Sequence, residues 1–164
     1  MNVSDAIRTK RAVRMFSDKP VPEEVMTAIL DAGRRSQSSK NTQPWQFVVV
    51  QERATLEALS KAGDYAQHLA GAAFAIVLVG AKDTWWNAFD LGQASSYFQL
   101  AAWEHGVGSC IVAFHRPDEA RAVLGIPAEM TVCALSFGYP APDFVPAKMG
   151  GRKPLEQVVR RERW

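Results

Sequence analysis

Ser36-Gln37-Ser38-Ser39-Lys40-Asn41-Thr42-Gln43-Pro44-Trp45 runs into the apolar stretch Phe47-Val48-Val49-Val50, so a polar loop here leads into a strand. Its short hydroxyls, amides and single cation offer too little apolar surface to build a core. They can instead hydrogen-bond a flat, polar, multi-acceptor ligand from several directions. The same residue types also populate ordinary solvated connections for conformational reasons, so the loop by itself leaves both readings open.

Upstream of the loop, Pro22 stands at the first position of a helix. Glu23 and Glu24 in its first turn suit the helix dipole, and Val25, Ile29 and Ala32 recur at helical spacing. Before that, residues 4–10 read as a helix with Val3, Ala6 and Ile7 on one face. The chain then runs extended through Val13 to Phe16, to a turn at Asp18-Lys19-Pro20.

Downstream, the unbroken apolar runs Phe47–Val50 and Ala75–Val79 read as central strands covered on both faces. The longest helix spans about Asn87 to Glu104, with Leu91, Ala94, Phe98 and Ala101 or Ala102 on one side and Gly106 as its cap. A strand near Ser109–Ala113, a helix from Pro117 to Leu124 stopped by Gly125, and a strand from Met130 to Phe137 complete the pattern. Pro140-Ala141-Pro142-Asp143-Phe144-Val145-Pro146 is extended and leads to Gly150-Gly151-Arg152-Lys153-Pro154-Leu155, a tail that need not fold back on its own body and could reach a second subunit. No internal repeat or domain boundary is evident, so residues 1–164 read as a single domain.

With 164 residues, 48% of them hydrophobic and 22% charged, the chain is an ordinary globular sequence able to bury roughly 70% of its unfolded surface. A net charge of +2 argues against a nucleic-acid binder. The longest apolar run, Ala72 to Val79, is far short of the roughly 20 residues a membrane span needs. The N-terminus has no basic segment leading into an apolar one, which points to the cytoplasm. Cys110 and Cys133 lack metal-type spacing and read as reduced, buried thiols.

Familiar catalytic schemes find no support. Gly106-Val107-Gly108 lacks a third glycine, because Ile111 occupies its place, and the helix precedes the motif instead of following it. There is no phosphate loop and no nucleophile elbow. His68, His105 and His115 lack zinc-protease spacing and read as surface or capping residues. A chain without a nucleophile, metal site or acid-base pair can leave its chemistry to a cofactor. Lys10-Arg11-Ala12-Val13-Arg14 groups three cations, and Arg152-Lys153 forms a second cluster. Either could grip a phosphate through charge-assisted hydrogen bonds, and either could be a solvated basic face.

Six segments together resemble the flavin-dependent nitroreductase family: Lys10-Arg11-Ala12-Val13-Arg14-Met15-Phe16, Pro20-Val21-Pro22, Ser38-Ser39-Lys40-Asn41-Thr42-Gln43-Pro44-Trp45-Gln46-Phe47, Asp90-Leu91-Gly92-Gln93-Ala94, Glu104-His105-Gly106-Val107-Gly108-Ser109-Cys110 and Arg152-Lys153-Pro154-Leu155-Glu156. They occur in the family's order over nearly the whole chain. The resemblance implies an α+β fold, a three-layer sandwich with a central, mostly antiparallel sheet flanked by helices and a C-terminal segment reaching to the partner subunit. It also implies a homodimer with FMN in each of two sites at the subunit interface.

In that likeness Lys10 and Arg11 are the phosphate-gripping pair, joined by Arg152, and Arg14 lies beside the pyrimidine edge of the flavin. Ser38, Ser39 and Asn41 line ribityl and ring edges of the partner's flavin, and the backbone of Ile111, Val112 and Ala113 faces N5 and the carbonyl edge. The family's usual serine is Ala12 here, and its usual first arginine is Lys10, which removes one phosphate hydrogen bond. The implied chemistry is hydride transfer from NADH or NADPH to flavin N5. Electrons then pass to a nitroaromatic, quinone or similar acceptor on the same face, in ping-pong order, with no side chain needed as catalytic acid. Little room exists before the long helix for the family's usual inserted segment, so Trp85, Trp86 and Phe89 are expected to select the substrate, although a core role for them is equally open. Two other readings stand beside this one: a flavin-sequestering module without turnover, and a specialised reductase or dehydrogenase of the same fold.

Overall fold

The computed structural model describes residues 1–81, 85–146 and 151–164, so Gly150 of the tail lies outside the described residues. Its organising element is β2 (Phe74–Ala81), buried from Phe74 to Gly80 as its continuous apolar run requires. β2 pairs antiparallel with β1 (Trp45–Val50) on one side and with β4 (Met130–Gly138) on the other. β3 (Gly108–Val112) then pairs antiparallel with β4, giving the order β1-β2-β4-β3. The register places Val48 opposite Val77, Val77 opposite Ala134, and Ala134 opposite Val112.

Because side chains alternate along a strand, each face of the sheet collects its own core. Ala75, Val77, Val79, Val112 and Ala134 pack against Leu56 and Leu59 of α3 (Arg53–Ser60), Ala120 of α5 (Pro117–Leu124), and Leu69 in a 3-10 turn over Gln67–Leu69. Ile76, Leu78, Leu135 and Phe137 pack on the other face against Met26 and Ile29 of α2 (Glu23–Arg34) and Leu91, Ala94, Phe98 and Ala102 of α4 (Trp85–Glu104). The result is the expected α+β sandwich of three layers. Each fully buried Leu, Ile or Phe contributes about 1.5–3 kcal/mol, and both layers are held to the sheet by such side chains.

Several expectations are corrected. β1 lies at the sheet edge, and Phe47, Val48 and Val49 are only partly buried. Its apolar run reflects cover on both faces, Val48 toward one core and Phe47 and Val49 toward the other, and carries no information about a neighbour along the edge. The stretch between Val50 and Ala72 holds α3 and the 3-10 turn, where Leu56 and Leu59 stand three apart, the spacing of a one-sided helix. Pro22 is the cap before α2 and not its first residue. In α1 (Val3–Thr9) only Ala6 is buried, and Val3 and Ile7 face outward at 72% and 66% exposure. Gly106 and Gly125 take positive φ where their helices end, as expected.

The proline-rich tail does fold back at its start. Phe16 bridges Pro140, the Ala141 amide donates to the Met15 carbonyl at 3.0 Å, and the Phe144 amide donates to the Ala141 carbonyl. All of residues 151–164 are exposed, including the short α6 (Leu155–Val158).

Candidate functional site

The extended segment after α1 is pinned to the free edge of β3. The Val13 amide donates to the Ser109 carbonyl at 3.0 Å, and Ala12 bridges Ser109 in parallel sense. Val13 is fully buried against Gly108, where an added Cβ would lie 2.6 Å from the valine side chain, so only glycine lets the segment come this close. Strand-like alternation then turns Ala12 and Arg14 to the exposed side.

Lys10 leaves the end of α1 partly buried and donates from Nζ to Gln99 Oε1 on α4, while Gln99 is itself held by the carbonyl and hydroxyl of Ser95 at 3.2 Å each. Burial lowers the Lys10 ammonium's pKa, and the nearby Cys110 thiol opposes that shift. Arg11 is half-buried and donates to the Arg8 and Lys10 carbonyls at 2.9 Å. Arg14 stands beside the Cys110 thiol, whose pKa burial raises while Arg14 and Lys10 pull it down. Lys10, Arg11 and Arg14 thus gather at one edge of the sheet.

Next to them β3 ends in Ile111 and Val112, and Ala113 follows. Val112 enters the core, whereas Ile111 is 58% exposed and Ala113 is exposed, so the strand end lies open beside the cations. Arg14 also lines a cleft of about 500 Å³ with Tyr65, Gln67 and His68. His68 is half-buried, with Nδ1 at 2.8 Å from the Ser136 hydroxyl. Burial, then the Arg14 charge, lower its pKa to about 4. His68 is therefore a half-buried cleft residue, where a surface or capping residue was expected. Nothing local could reveal this, since its partners Ser136 and Arg14 are distant in sequence. His115 does cap, accepting the Asp64 amide at Nδ1.

The Ser36–Trp45 loop is anchored elsewhere. Asp90 is buried in α4; its Oδ2 accepts the Ser39 amide at 3.0 Å and its Oδ1 the Gln93 side-chain amide at 3.4 Å. Ser38 Oγ accepts the Gln43 amide at 2.9 Å. Lys40, Asn41 and Gln43 all have positive φ, at 50°, 55° and 49°, a conformation that costs a non-glycine residue about 1–2 kcal/mol. Ser39 and Asn41 are exposed, and Ser38 is partly so.

Along α4 the loop's anchor, Asp90, and the Lys10 partner, Gln99, are nine residues apart, about 13 Å of helix. Among the described residues no hydrogen bond or ion pair joins the loop to Lys10, Arg11 or Arg14, nor Arg152 to them. Arg152 stands in the exposed C-terminal segment. Trp85, Trp86 and Phe89 form an exposed cluster on the first turns of α4, the tryptophan rings 3.5 Å apart at 28° and Phe89 edge-on to Trp85 at 6.4 Å. At 62%, 49% and 58% exposure they are not core residues.

The donor set suits FMN. Lys10 and Arg11 carry the charge-assisted donors a phosphate requires, and Arg14 adds a cation in the cleft beside the exposed strand end.

Comparison with known proteins identifies the family. A family model described as the nitroreductase family matches residues 7–63 and 57–139. A relative from Archaeoglobus fulgidus, provisionally named NADH dehydrogenase/NAD(P)H nitroreductase, is 34% identical over 146 residues, 82% of this chain and 83% of its own. A Thermus thermophilus relative named NADH dehydrogenase is 29% identical, covering 97% of this chain and 95% of its own. The solved structure of an FMN-dependent nitroreductase from Clostridium difficile superposes with a TM-score of 0.86 at 26% identity, covering 99% of this chain and 100% of that one.

Proposed function

The chain belongs to the nitroreductase family, and from that premise we propose that it is an FMN-dependent NAD(P)H oxidoreductase acting as a homodimer. The observation that carries this reading is the pinning of Lys10, Arg11 and Arg14 to the β3 edge, beside the open strand end Ile111–Ala113 and the cleft. Bound here, FMN would supply hydride and electron transfer between NADH or NADPH and a nitroaromatic, quinone or similar acceptor, in ping-pong order.

Lys10 and Arg11 hold the phosphate, with Arg152 closing over it from the C-terminal segment. Lys10 is prepared for this by Gln99, which fixes its side chain and limits the entropy lost on binding. Arg14 stabilises negative charge at the pyrimidine edge. The amides and carbonyls of Ile111, Val112 and Ala113 orient the ring. Ser38, Ser39 and Asn41 serve the flavin of the other subunit, a reading supported by the separation of loop and cations along α4 and by the loop's exposed face. Trp85, Trp86 and Phe89 offer stacking surfaces to a flat acceptor.

The C-terminal segment carries exposed Leu155, Val158, Val159 and Trp164, apolar surface suited to lying on a partner subunit. Among the described residues no helix is long and apolar enough to cross a membrane. This fits work in the cytoplasm, where NADH and NADPH are at hand.

The test is the spectrum of the purified protein followed by rapid mixing with NADH and NADPH. A yellow protein whose flavin absorbance bleaches on mixing supports the enzyme. Bound flavin that neither dinucleotide bleaches would indicate a flavin-holding module instead.

A further inference from the structure

One ionisable group in the cleft has a defined proton arrangement that the phosphate grip and the cation beside the ring leave unused. Ser136 is fully buried and has one hydroxyl proton, which it directs to the Cys110 carbonyl at 3.4 Å. With that proton on the carbonyl, the hydroxyl oxygen is left to accept from His68 Nδ1 at 2.8 Å, and on this pairing we assign the ring the Nδ1-protonated tautomer. Burial and the Arg14 charge keep the ring neutral. A neutral imidazole protonated at Nδ1 has a bare Nε2 that can only accept. The cleft wall thus sets a cationic donor, Arg14, beside a fixed acceptor, His68.

An acceptor next to a donor selects ligands presenting the reverse, an N–H flanked by carbonyl oxygen. Carboxylates and phosphates provide only acceptors, so Arg14 would welcome them and His68 Nε2 would repel them. A planar imide, carbonyl, N–H and carbonyl in a row, satisfies both groups. The isoalloxazine ring carries one imide, at N3, flanked by the C2 and C4 carbonyls.

We propose that His68 Nε2 accepts the imide N3–H of the bound flavin while Arg14 donates to an adjacent carbonyl, making His68 the residue that fixes the ring's register in the cleft. This rests on the FMN reading above. His68 is a positioning residue, and Ser136, through the Cys110 carbonyl, sets its tautomer.

The test uses the flavin-free protein labelled with 15N-histidine, titrated with FMN. His68→Leu assigns the His68 signals among the three histidines. In the free protein His68 should show a protonated Nδ1 and a bare Nε2. FMN should shift the Nε2 resonance toward its hydrogen-bonded position and leave Nδ1 protonated. His68→Leu, similar in bulk but without an acceptor, should weaken FMN binding about tenfold, and His68→Gln, which keeps an acceptor oxygen, should recover most of that loss. If FMN binds while Nε2 stays unmoved, or His68→Leu matches wild type within about twofold, the proposal is wrong and the FMN reading stands. If FMN does not bind at all, both fall.

Discussion

The buried carboxylate of Asp90 accepts the amide of Ser39 at 3.0 Å across 51 residues of sequence. One acidic side chain on α4 thereby holds a loop in which three non-glycine residues have left-handed backbone. Such strain persists only where the surroundings over-determine it, and Asp90 with Ser38 Oγ supplies that restraint.

Asp90→Ala should therefore release the loop. Losing a buried charged acceptor costs about 1.5–3 kcal/mol. The Ser39 and Gln43 amides should exchange hydrogen faster, and FMN affinity should fall, because Ser38, Ser39 and Asn41 would no longer be presented. Asp90→Asn keeps an acceptor oxygen and should recover part of both. Exchange at Ser39 as slow as in wild type would contradict the anchoring role.

At the cationic edge, Lys10→Ala and Arg152→Ala should each weaken FMN binding by about 1.5–3 kcal/mol, the range for a hydrogen bond to a charged group. Flavin content after purification and titration of the flavin-free protein measure this. Wild-type occupancy in both single variants and in the double variant would remove the phosphate site from this edge.

Gly108→Ala tests the close approach of the N-terminal segment. The added methyl would meet Val13 at 2.6 Å, and overpacking of this kind costs about 1–3 kcal/mol. The melting temperature should drop, and flavin binding should weaken as residues 10–14 shift from β3. Adding Val13→Ala makes room, so the double variant should be more stable than the sum of the single effects predicts.

His68 predicts an acid-side loss of stability. Its pKa is about 4 when folded against about 6.5 when unfolded, so between those values the unfolded chain binds the proton more readily. The contribution is fully present above pH 6.5 and disappears as pH falls toward 4, on the order of 2 kcal/mol after allowing for the ring's partial exposure. Denaturation of the flavin-free protein across pH 4–7 should show this slope, and His68→Gln should flatten it.

The dimer is tested by light scattering of the full chain and of a chain ending at residue 150. The full chain should be dimeric, and the shortened one should lose the dimer or its flavin. A monomer with FMN bound would contradict the role given to the Ser36–Trp45 loop.

Local chemistry made much of the framework legible. Val77 and its neighbours are apolar on both faces because helices cover both, Leu91, Ala94, Phe98 and Ala102 mark one side of α4, and Gly125 stops α5. The helix at Leu56 and Leu59 carried a readable spacing over only eight residues, too short to stand out. Val3 and Ile7 repeat at helical spacing yet stay exposed, because periodicity reports an apolar stripe and not whether this chain covers it.

The sequence by itself determined which residues carry charge, hydroxyls and aromatic rings, and through six ordered motifs it determined the family. Periodicity and caps act over a few residues, so they placed the long helix and the strands. Only the tertiary structure decided that Lys10 meets Gln99, that Arg14 shares a cleft with His68, and that His68 leans on Ser136. Those contacts join positions up to 89 residues apart, brought together by strand order and helix packing. The depressed basicity of His68 arises from burial and from a neighbour distant in sequence, and for that reason this part of the cleft was silent until the chain was folded.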